Sequence, residues 1–175
     1  MRANADIRVQ ADLSAVLIRA NGQRIDLGDL KKRKTWLRKL IDFTWWDGFD
    51  QRGLVTVAGV NYMASDFASG GVTPTISGFK FHASGTGTNA AANTDTALQT
   101  DSGVARVSGT ASNPSANIYK SVATMSYVST LAITEWGLFS ASTVGTLWDR
   151  RVFSAINVVS GDSIQFSYSL TIPSN

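Results

Sequence analysis

The residues that could take part in catalysis are few and stand apart along the chain. There is one histidine, His82, and no cysteine. A hydrolytic triad needs a nucleophile, a histidine and an acid brought together, but no G-x-S-x-G nucleophile elbow accompanies His82. A zinc site needs several ligands, and one histidine without cysteine is too few for the common sites. We therefore predict a polar strand-end residue at His82 and no metal site.

The acidic residues that follow His82 are scattered singly. They are Asp95, Asp101, Glu135, Asp149 and Asp162. The two carboxylates of a glycosidase lie about 5–10 Å apart across a cleft, and no spacing in this sequence selects such a pair. Asp95 and Asp162 are typical of turns, whereas Glu135 and Asp149-Arg150 predict a cross-strand charge pair. We expect no enzymatic activity and no cofactor.

A glycine-rich run at residues 84–88 could cradle a phosphate group. A P-loop requires G-x-x-x-x-G-K-[ST], and no Gly-Lys pair occurs in this run. A dinucleotide fingerprint requires a βαβ context, which the surrounding strand-like pattern does not favour. The run therefore indicates a turn, or a loop whose backbone approaches another segment closely.

Residues 31–46 are the strongest candidate for a binding segment. Without the six cations of residues 31–39, the formal net charge of +3 would be negative, so the pI of about 9.4 belongs to this segment. Tryptophan and leucine recur at helical spacing between the cations, which predicts a short amphipathic helix that Asp29 caps and Gly48 ends. The predicted partner-binding residues are Lys31, Lys32, Arg33, Lys34, Trp36, Arg38, Lys39, Trp45 and Trp46.

Three kinds of partner fit such a segment. Cations beside tryptophan could contact phosphates and stack on bases, and a basic amphipathic helix could lie on an anionic membrane surface. Docking within the protein or against another protein subunit is favoured over both. We expect a protein partner, treat nucleic acid as the weaker alternative and expect no membrane partner.

The elements around these residues are predicted to be mainly strands. Residues 164–172 alternate strictly, with Ile164, Phe166 and Tyr168 on one face and serine, glutamine or threonine on the other, as expected for a half-buried antiparallel strand. Residues 7–17 alternate similarly, and Asn21-Gly22 predicts a type I′ hairpin that returns through residues 23–27. Further strands are predicted at residues 54–64, with a bulge at Gly59, and at 78–83, 103–110, 118–128, 131–139 and 147–156. Residues 94–99 predict one helical turn, and residues 84–93 and 111–117 predict loops.

These elements define one expected architecture. Seven to nine short strands with one helix predict a mainly β protein, an antiparallel β-sandwich or barrel-like domain with the short amphipathic helix as an insertion. At 175 residues, the chain is expected to form a single domain, 1–175, with 31–46 as its basic, tryptophan-rich insertion.

The composition bounds the class of protein further. Only 17% of residues are charged, which is below the usual quarter, and small uncharged side chains are abundant. No apolar run approaches the roughly 18 residues of a membrane helix, and the start lacks the apolar core of a secretory signal. Synthesis in a cytoplasm is the expectation.

A set of short phrases resembles structural proteins of tailed bacteriophages. The resemblance covers residues 54–175 and rests on these phrases in this order: Val57-Ala58-Gly59-Val60-Asn61, Asp66-Phe67, Phe79-Lys80-Phe81-His82, Gly85-Thr86-Gly87-Thr88, Asp95-Thr96-Ala97-Leu98, Ser108-Gly109-Thr110, Ile133-Thr134-Glu135-Trp136-Gly137-Leu138-Phe139, Leu147-Trp148-Asp149-Arg150 and Val152-Phe153-Ser154-Ala155-Ile156. Related β-domains occur in capsid decoration proteins and in tail or fibre components. The basic insertion at residues 31–46 departs from that pattern.

The resemblance implies a virion protein. The leading hypothesis is a capsid decoration (cement) protein that binds the outer lattice of the major capsid protein, stabilises the head, and forms a homo-oligomer, with a trimer as the first guess. The alternatives are a tail, collar or head-fibre component, a nucleic-acid-binding module that uses the basic segment, and a cell-wall hydrolase. Loops 84–93 and 111–117 are expected to extend onto neighbouring subunits.

Overall fold

Two five-stranded antiparallel sheets form the body of the protein in a computed structural model that describes residues 10–30, 54–69 and 76–172. Sheet I has the strand order β2-β1-β10-β7-β6, and sheet II has the order β3-β9-β8-β4-β5. The strands are β1 (Gln10–Ile18), β2 (Arg24–Asp29), β3 (Leu54–Val55), β4 (Phe81–Gly85), β5 (Val107–Ser108), β6 (Thr110–Ser115), β7 (Ile118–Ser126), β8 (Leu131–Phe139), β9 (Leu147–Val158) and β10 (Ser163–Thr171). The helix α1 (Val57–Ser69) and a short 3₁₀ helix (Ile76–Gly78) complete the described elements.

The prediction of a mainly β, sandwich-like antiparallel fold is confirmed. The alternation in the last strand has the predicted phase, because Ile164, Phe166 and Tyr168 are fully buried in β10. The neighbouring strand β1 of the same sheet buries Leu13 and Leu17 in the same core. Burial of each such side chain contributes about 1.5–3 kcal/mol, so the periodicities of β1 and β10 together specify which face of sheet I packs on the core.

An aromatic layer joins the two sheets. Trp136 of β8 stacks on Tyr168 of β10 with ring centroids 5.4 Å apart. The indole of Trp148 in β9 donates a hydrogen bond to the Tyr168 hydroxyl over 2.8 Å. These rings combine a large apolar area with polar groups that find partners in the interior, which fixes the register of sheet II over sheet I.

The first hairpin exists, but its predicted turn type is wrong. Gly22 has a positive φ of 86°, and Asn21 does not have a positive φ, so the two positive values of a type I′ turn are not present. The Gly22 N–H donates to the Arg19 carbonyl, and the Arg19 N–H donates to the Gln23 carbonyl. This is a three-residue loop that ends in a left-handed glycine, the second common way of closing a hairpin.

The strand predicted for residues 54–64 is wrong beyond Val55. The chain turns at Thr56 and continues as α1, because the Thr56 hydroxyl accepts a hydrogen bond from the Gly59 N–H over 3.0 Å and caps the helix. Gly59 is not a bulge. It faces Trp148, and a Cβ at this position would lie 2.9 Å from the indole ring, so a glycine is needed for the helix to approach sheet II.

Two further local predictions differ from the structure. Residues 94–99 do not form a helical turn. The chain instead makes a tight turn at residues 92–95, where the Asp95 carboxylate accepts a hydrogen bond from the Ala92 N–H. Residues 111–117 belong mostly to β6, which is exposed along its whole length and pairs with β7 at the edge of sheet I. A fully exposed edge strand has no apolar alternation, so its Ser, Asn and Pro residues resemble a loop in the sequence.

The chain between β4 and β5 covers the outer face of sheet II. Leu98 from this chain packs against a small apolar cluster formed by Ala83, Phe139 and Leu147. Gly137 lies beneath it, and a Cβ there would be 2.9 Å from Leu98. Within residues 84–93, Gly87 is buried against sheet II, residues 88–90 are exposed, and the extension of this segment onto neighbours stays a prediction.

Candidate functional site

Glu135 is the centre of a buried polar cluster on the outer face of sheet II. It follows Thr134 in β8 and is fully buried beneath the chain that joins β4 to β5. Its Oε1 accepts hydrogen bonds from the N–H groups of Gly87 (2.9 Å) and Thr100 (2.7 Å), and its Oε2 accepts one from the N–H of Gln99 (3.0 Å). A single carboxylate thereby fixes the covering chain at two places.

Arg150 neutralises Glu135 and extends the cluster. Its Nε donates to Glu135 Oε2 over 2.8 Å, and its Nη2 lies 2.7 Å from the same oxygen. Its Nη1 donates to Asp95 over 2.9 Å, and Nη2 also donates to the Asn89 carbonyl. The predicted cross-strand charge pair is therefore confirmed for Glu135 and Arg150, and we call Glu135, Arg150 and Asp95 the loop latch.

The geometry of the loop latch favours a structural role for Glu135. A general acid or base must exchange a proton with a substrate, whereas both Glu135 oxygens already accept bonds from backbone and guanidinium donors in a site closed to solvent. Asp149 lies on the opposite face of sheet II, where it contacts residues of the core. Glu135 and Asp149 are therefore not arranged as the paired carboxylates of a glycosidase.

Asp149 and Arg151 form a second buried pair, between the two sheets. Arg151 Nε lies 3.1 Å from Asp149 Oδ1, and Arg151 Nη2 donates to the Ala11 carbonyl of sheet I over 2.6 Å. The Tyr168 hydroxyl lies beside Asp149. Burial raises the pKa of the Asp149 carboxyl, while the Arg151 guanidinium acts against that rise. This pairing was not predicted, although the i, i+2 spacing of Asp149 and Arg151 places both on one strand face.

His82 is buried in the core, not at a strand end as predicted. It is the second residue of β4 and has no exposed surface. The Trp136 indole N–H donates to His82 Nδ1 over 3.2 Å, so Nε2 carries the proton and donates to the Ser121 hydroxyl of sheet I, 2.9 Å away. Burial lowers the pKa of His82 from 6.5 to about 3. His82 is thus a neutral link between the sheets, and Gly109 leaves the room for it, since a Cβ there would crowd both His82 and Ser121.

Asp162 ties together the turns at one end of the sandwich. It accepts hydrogen bonds from the N–H groups of Val159 and Ala20, both over 3.0 Å, and from Arg19 Nη1 over 2.6 Å. The Val159 bond, with the Arg19 guanidinium nearby, lowers the pKa of the Asp162 carboxyl. The predicted turn residue is therefore also a buried link between the β1–β2 and β9–β10 connections.

The predicted partner-binding residues lie outside the described residues. Lys31, Lys32, Arg33, Lys34, Trp36, Arg38, Lys39, Trp45 and Trp46 all fall between Leu30 and Leu54. Leu30 follows β2, and its N–H donates to the Leu13 carbonyl. Leu54 begins β3, which pairs with β9. The described chain therefore stops and resumes at edge strands of the two different sheets.

The outer face of sheet I carries small uncharged side chains along β10, and the charged residues Asp12 and Lys120 flank them at Ser169. The register places Ser14, Ser167 and Val122 in one row across β1, β10 and β7, and Val16, Gln165 and Thr124 in the next. These side chains are half-exposed or exposed. We call this surface the Ser/Thr face; its polar members are Ser14, Thr124, Ser126, Ser163, Gln165, Ser167, Ser169 and Thr171. Most of them belong to the polar side that the sequence predicts for the last strand.

The described residues contain neither a candidate metal site nor a membrane-spanning helix. Among residues 10–30, 54–69 and 76–172, no group of three or more histidine or acidic side chains could hold a metal ion. No helix in those ranges has the length and apolar character needed to cross a membrane. We found no protein-family model, curated protein or solved structure that matches the chain.

Proposed function

We propose that the protein is a structural component of a bacteriophage virion and that it decorates the capsid as a cement protein. The observation that carries the geometric part of the proposal is the Ser/Thr face, an exposed or half-exposed row of mostly small hydroxyl side chains along β10 and its neighbours. The virion part rests on the resemblance of residues 54–175 to phage structural proteins.

The buried charges support a static role. Glu135, Arg150, Asp149 and Arg151 are all committed to internal hydrogen bonds. They fix the covering chain to sheet II and sheet II to sheet I. A protein that must resist outward pressure on a shell benefits from such internal links, because breaking any of them leaves a charge unpaired in the interior.

A lattice gives weak contacts a collective strength. The Ser/Thr face offers hydrogen-bonding hydroxyl and amide groups to a partner surface, but each contact is modest because water competes for it. Attachment at several points of a repeating shell converts modest contacts into strong avidity. A homo-oligomer, with a trimer as the first guess, would supply those points, and the basic segment at residues 31–46 would supply the anchor.

Alanine at Trp36, Trp45 and Trp46 should weaken binding to purified shells that lack this protein by at least about thirtyfold, the effect of losing one anchoring aromatic side chain. Aromatic side chains dominate the energetics of protein interfaces, and each is worth about 2 kcal/mol or more where it anchors a contact. The measurement is co-sedimentation of the triple variant with shells. Circular dichroism and the melting temperature serve as the check that the sandwich is still folded.

The control replaces a cation that lies outside the segment and off the Ser/Thr face. Lys80→Gln removes a half-exposed positive charge just before β4 of sheet II. This variant should bind the shells as the wild type does. Wild-type affinity in the tryptophan variant would remove residues 31–46 from the attachment site. Binding of the wild type to DNA that falls steeply with salt, without binding to shells, would favour the nucleic-acid alternative.

A further inference from the structure

Val144 is an exposed apolar side chain in a strained backbone conformation. It lies in the connection between β8 and β9, and 87% of its surface is exposed. Its φ is +56°, and it is the one non-glycine residue with positive φ among the described residues. The left-handed region is unfavourable for a β-branched side chain, for which asparagine or glycine is the usual choice.

The connection that carries Val144 is held firmly. The Arg106 guanidinium lies 3.5 Å above the Phe139 ring and donates hydrogen bonds to the carbonyls of Ala141 and Val144. The Ser140 N–H donates to the Thr146 carbonyl, and the Thr146 N–H donates to the Ser140 hydroxyl. The surrounding bonds therefore hold Val144 in its unfavourable conformation and project it outward before any partner arrives.

This combination is typical of a contact point. Backbone strain persists where the surrounding structure overdetermines it, and it concentrates at functional positions. Among the described residues, no apolar contact offsets the unfavourable backbone conformation of Val144, because its side chain is exposed to solvent. A preorganised apolar side chain loses little entropy when it is buried by a partner, which favours binding.

The chemistry of residues 140–146, the tip of the connection between β8 and β9, favours a protein as the partner. Residues 140–146 carry no charge, and Arg106 is already engaged by Ala141 and Val144, so the tip offers no cation to a phosphate group. One valine buries too little apolar area to hold a membrane surface. An uncharged, apolar recess in another protein is the surface that matches it.

We propose that Val144 is an apolar knob that inserts into a recess of the capsid lattice protein. This inference rests on the proposed function, because it names the contact through which a decoration protein would engage its lattice. Each knob makes one small contact, and the repeat of the lattice multiplies it.

The test compares Val144→Asn with Val128→Asn. Val128 is exposed to a similar extent, 85%, but does not have a positive φ. Asparagine tolerates the left-handed region, so Val144→Asn should raise the melting temperature by about 2–4 °C, whereas Val128→Asn should leave it unchanged. Val144→Asn should weaken co-sedimentation with purified shells that lack this protein by about tenfold per contact, while Val128→Asn should bind as the wild type does.

The outcomes separate this inference from the proposed function. Binding of the wild type and both variants with equal affinity would overturn the role of Val144 and leave the cement function standing. Failure of the wild type to bind shells would overturn both. An oligomer that dissociates on Val144→Asn, seen by analytical ultracentrifugation, would overturn the lattice contact by assigning the knob to a second copy of this chain. An unchanged melting temperature would show that no strain is stored at Val144 and would also overturn the inference.

Discussion

Replacing Glu135 by glutamine should lower the free energy of unfolding by about 3–5 kcal/mol, the cost of removing one partner from a buried ion pair. The amide keeps the size of the carboxylate but not its charge, so Arg150 would retain only Asp95 as an ionic partner. One amide oxygen would also have to replace two carboxylate oxygens as the acceptor for the N–H groups of Gly87, Gln99 and Thr100. Urea unfolding followed by tryptophan fluorescence gives the measurement.

Asp12→Asn is the matched control, because it makes the same chemical change at a half-exposed position of sheet I. Its effect should stay within about 0.5 kcal/mol. Arg150→Met should cost as much as Glu135→Gln, and the double variant should cost clearly less than the sum of the two, since the residues act as one unit. A loss below 1 kcal/mol for Glu135→Gln, or additive effects, would contradict the loop latch as described.

Acid should destabilise the protein through His82. The pKa of His82 is lowered from 6.5 to about 3, so the unfolded chain binds a proton that the folded chain excludes between these values. Stability from this residue is therefore fully present above pH 6.5 and is lost as the pH falls toward 3. The loss should be about 1.4 kcal/mol per pH unit within that window and reach about 4 kcal/mol near pH 3.

The comparison with His82→Gln isolates this effect. Glutamine does not titrate, and its amide can still accept a hydrogen bond from Trp136 and donate one to Ser121. The variant is less stable than the wild type at neutral pH. Between pH 6.5 and 4, however, its free energy of unfolding should fall less steeply than that of the wild type, by about 1.4 kcal/mol per pH unit. Other groups, Asp162 included, titrate in both proteins and cancel in the difference. Parallel stability curves would show that folding does not exclude the His82 proton.

The strands with regular alternation could be predicted from the sequence because burial on one face leaves a period of two. Residues 131–139 became β8 with the predicted bounds, and the last strand had the predicted inner face. The helix α1 was missed because Leu54 and Val55 begin as a strand and the apolar run continues past them. Thr56 as a helix cap was the available signal. The edge strand β6 could not be predicted from apolar spacing, since all six of its residues are exposed.

The candidate site was predictable only where a pattern is local. Opposite charges on β8 and β9 indicated the pairing of Glu135 with Arg150, which the structure confirms. The contribution of Asp95 depends on how the β4–β5 connection folds back over sheet II, which no local pattern encodes. The burial of His82 likewise depends on Ser121 and Trp136, which lie far away in the sequence. The binding role of residues 31–46 stays a prediction, because those residues lie outside the described part of the chain.

The most direct test of the proposed function is the copy number of this protein in purified virions, measured by quantitative mass spectrometry against the major capsid protein. A decoration protein that covers the lattice should be present in hundreds of copies, at a fixed ratio to the capsid subunits. A few to a few dozen copies would contradict the cement role and assign the protein to the tail, collar or a head fibre. Absence from the particle would contradict every virion role.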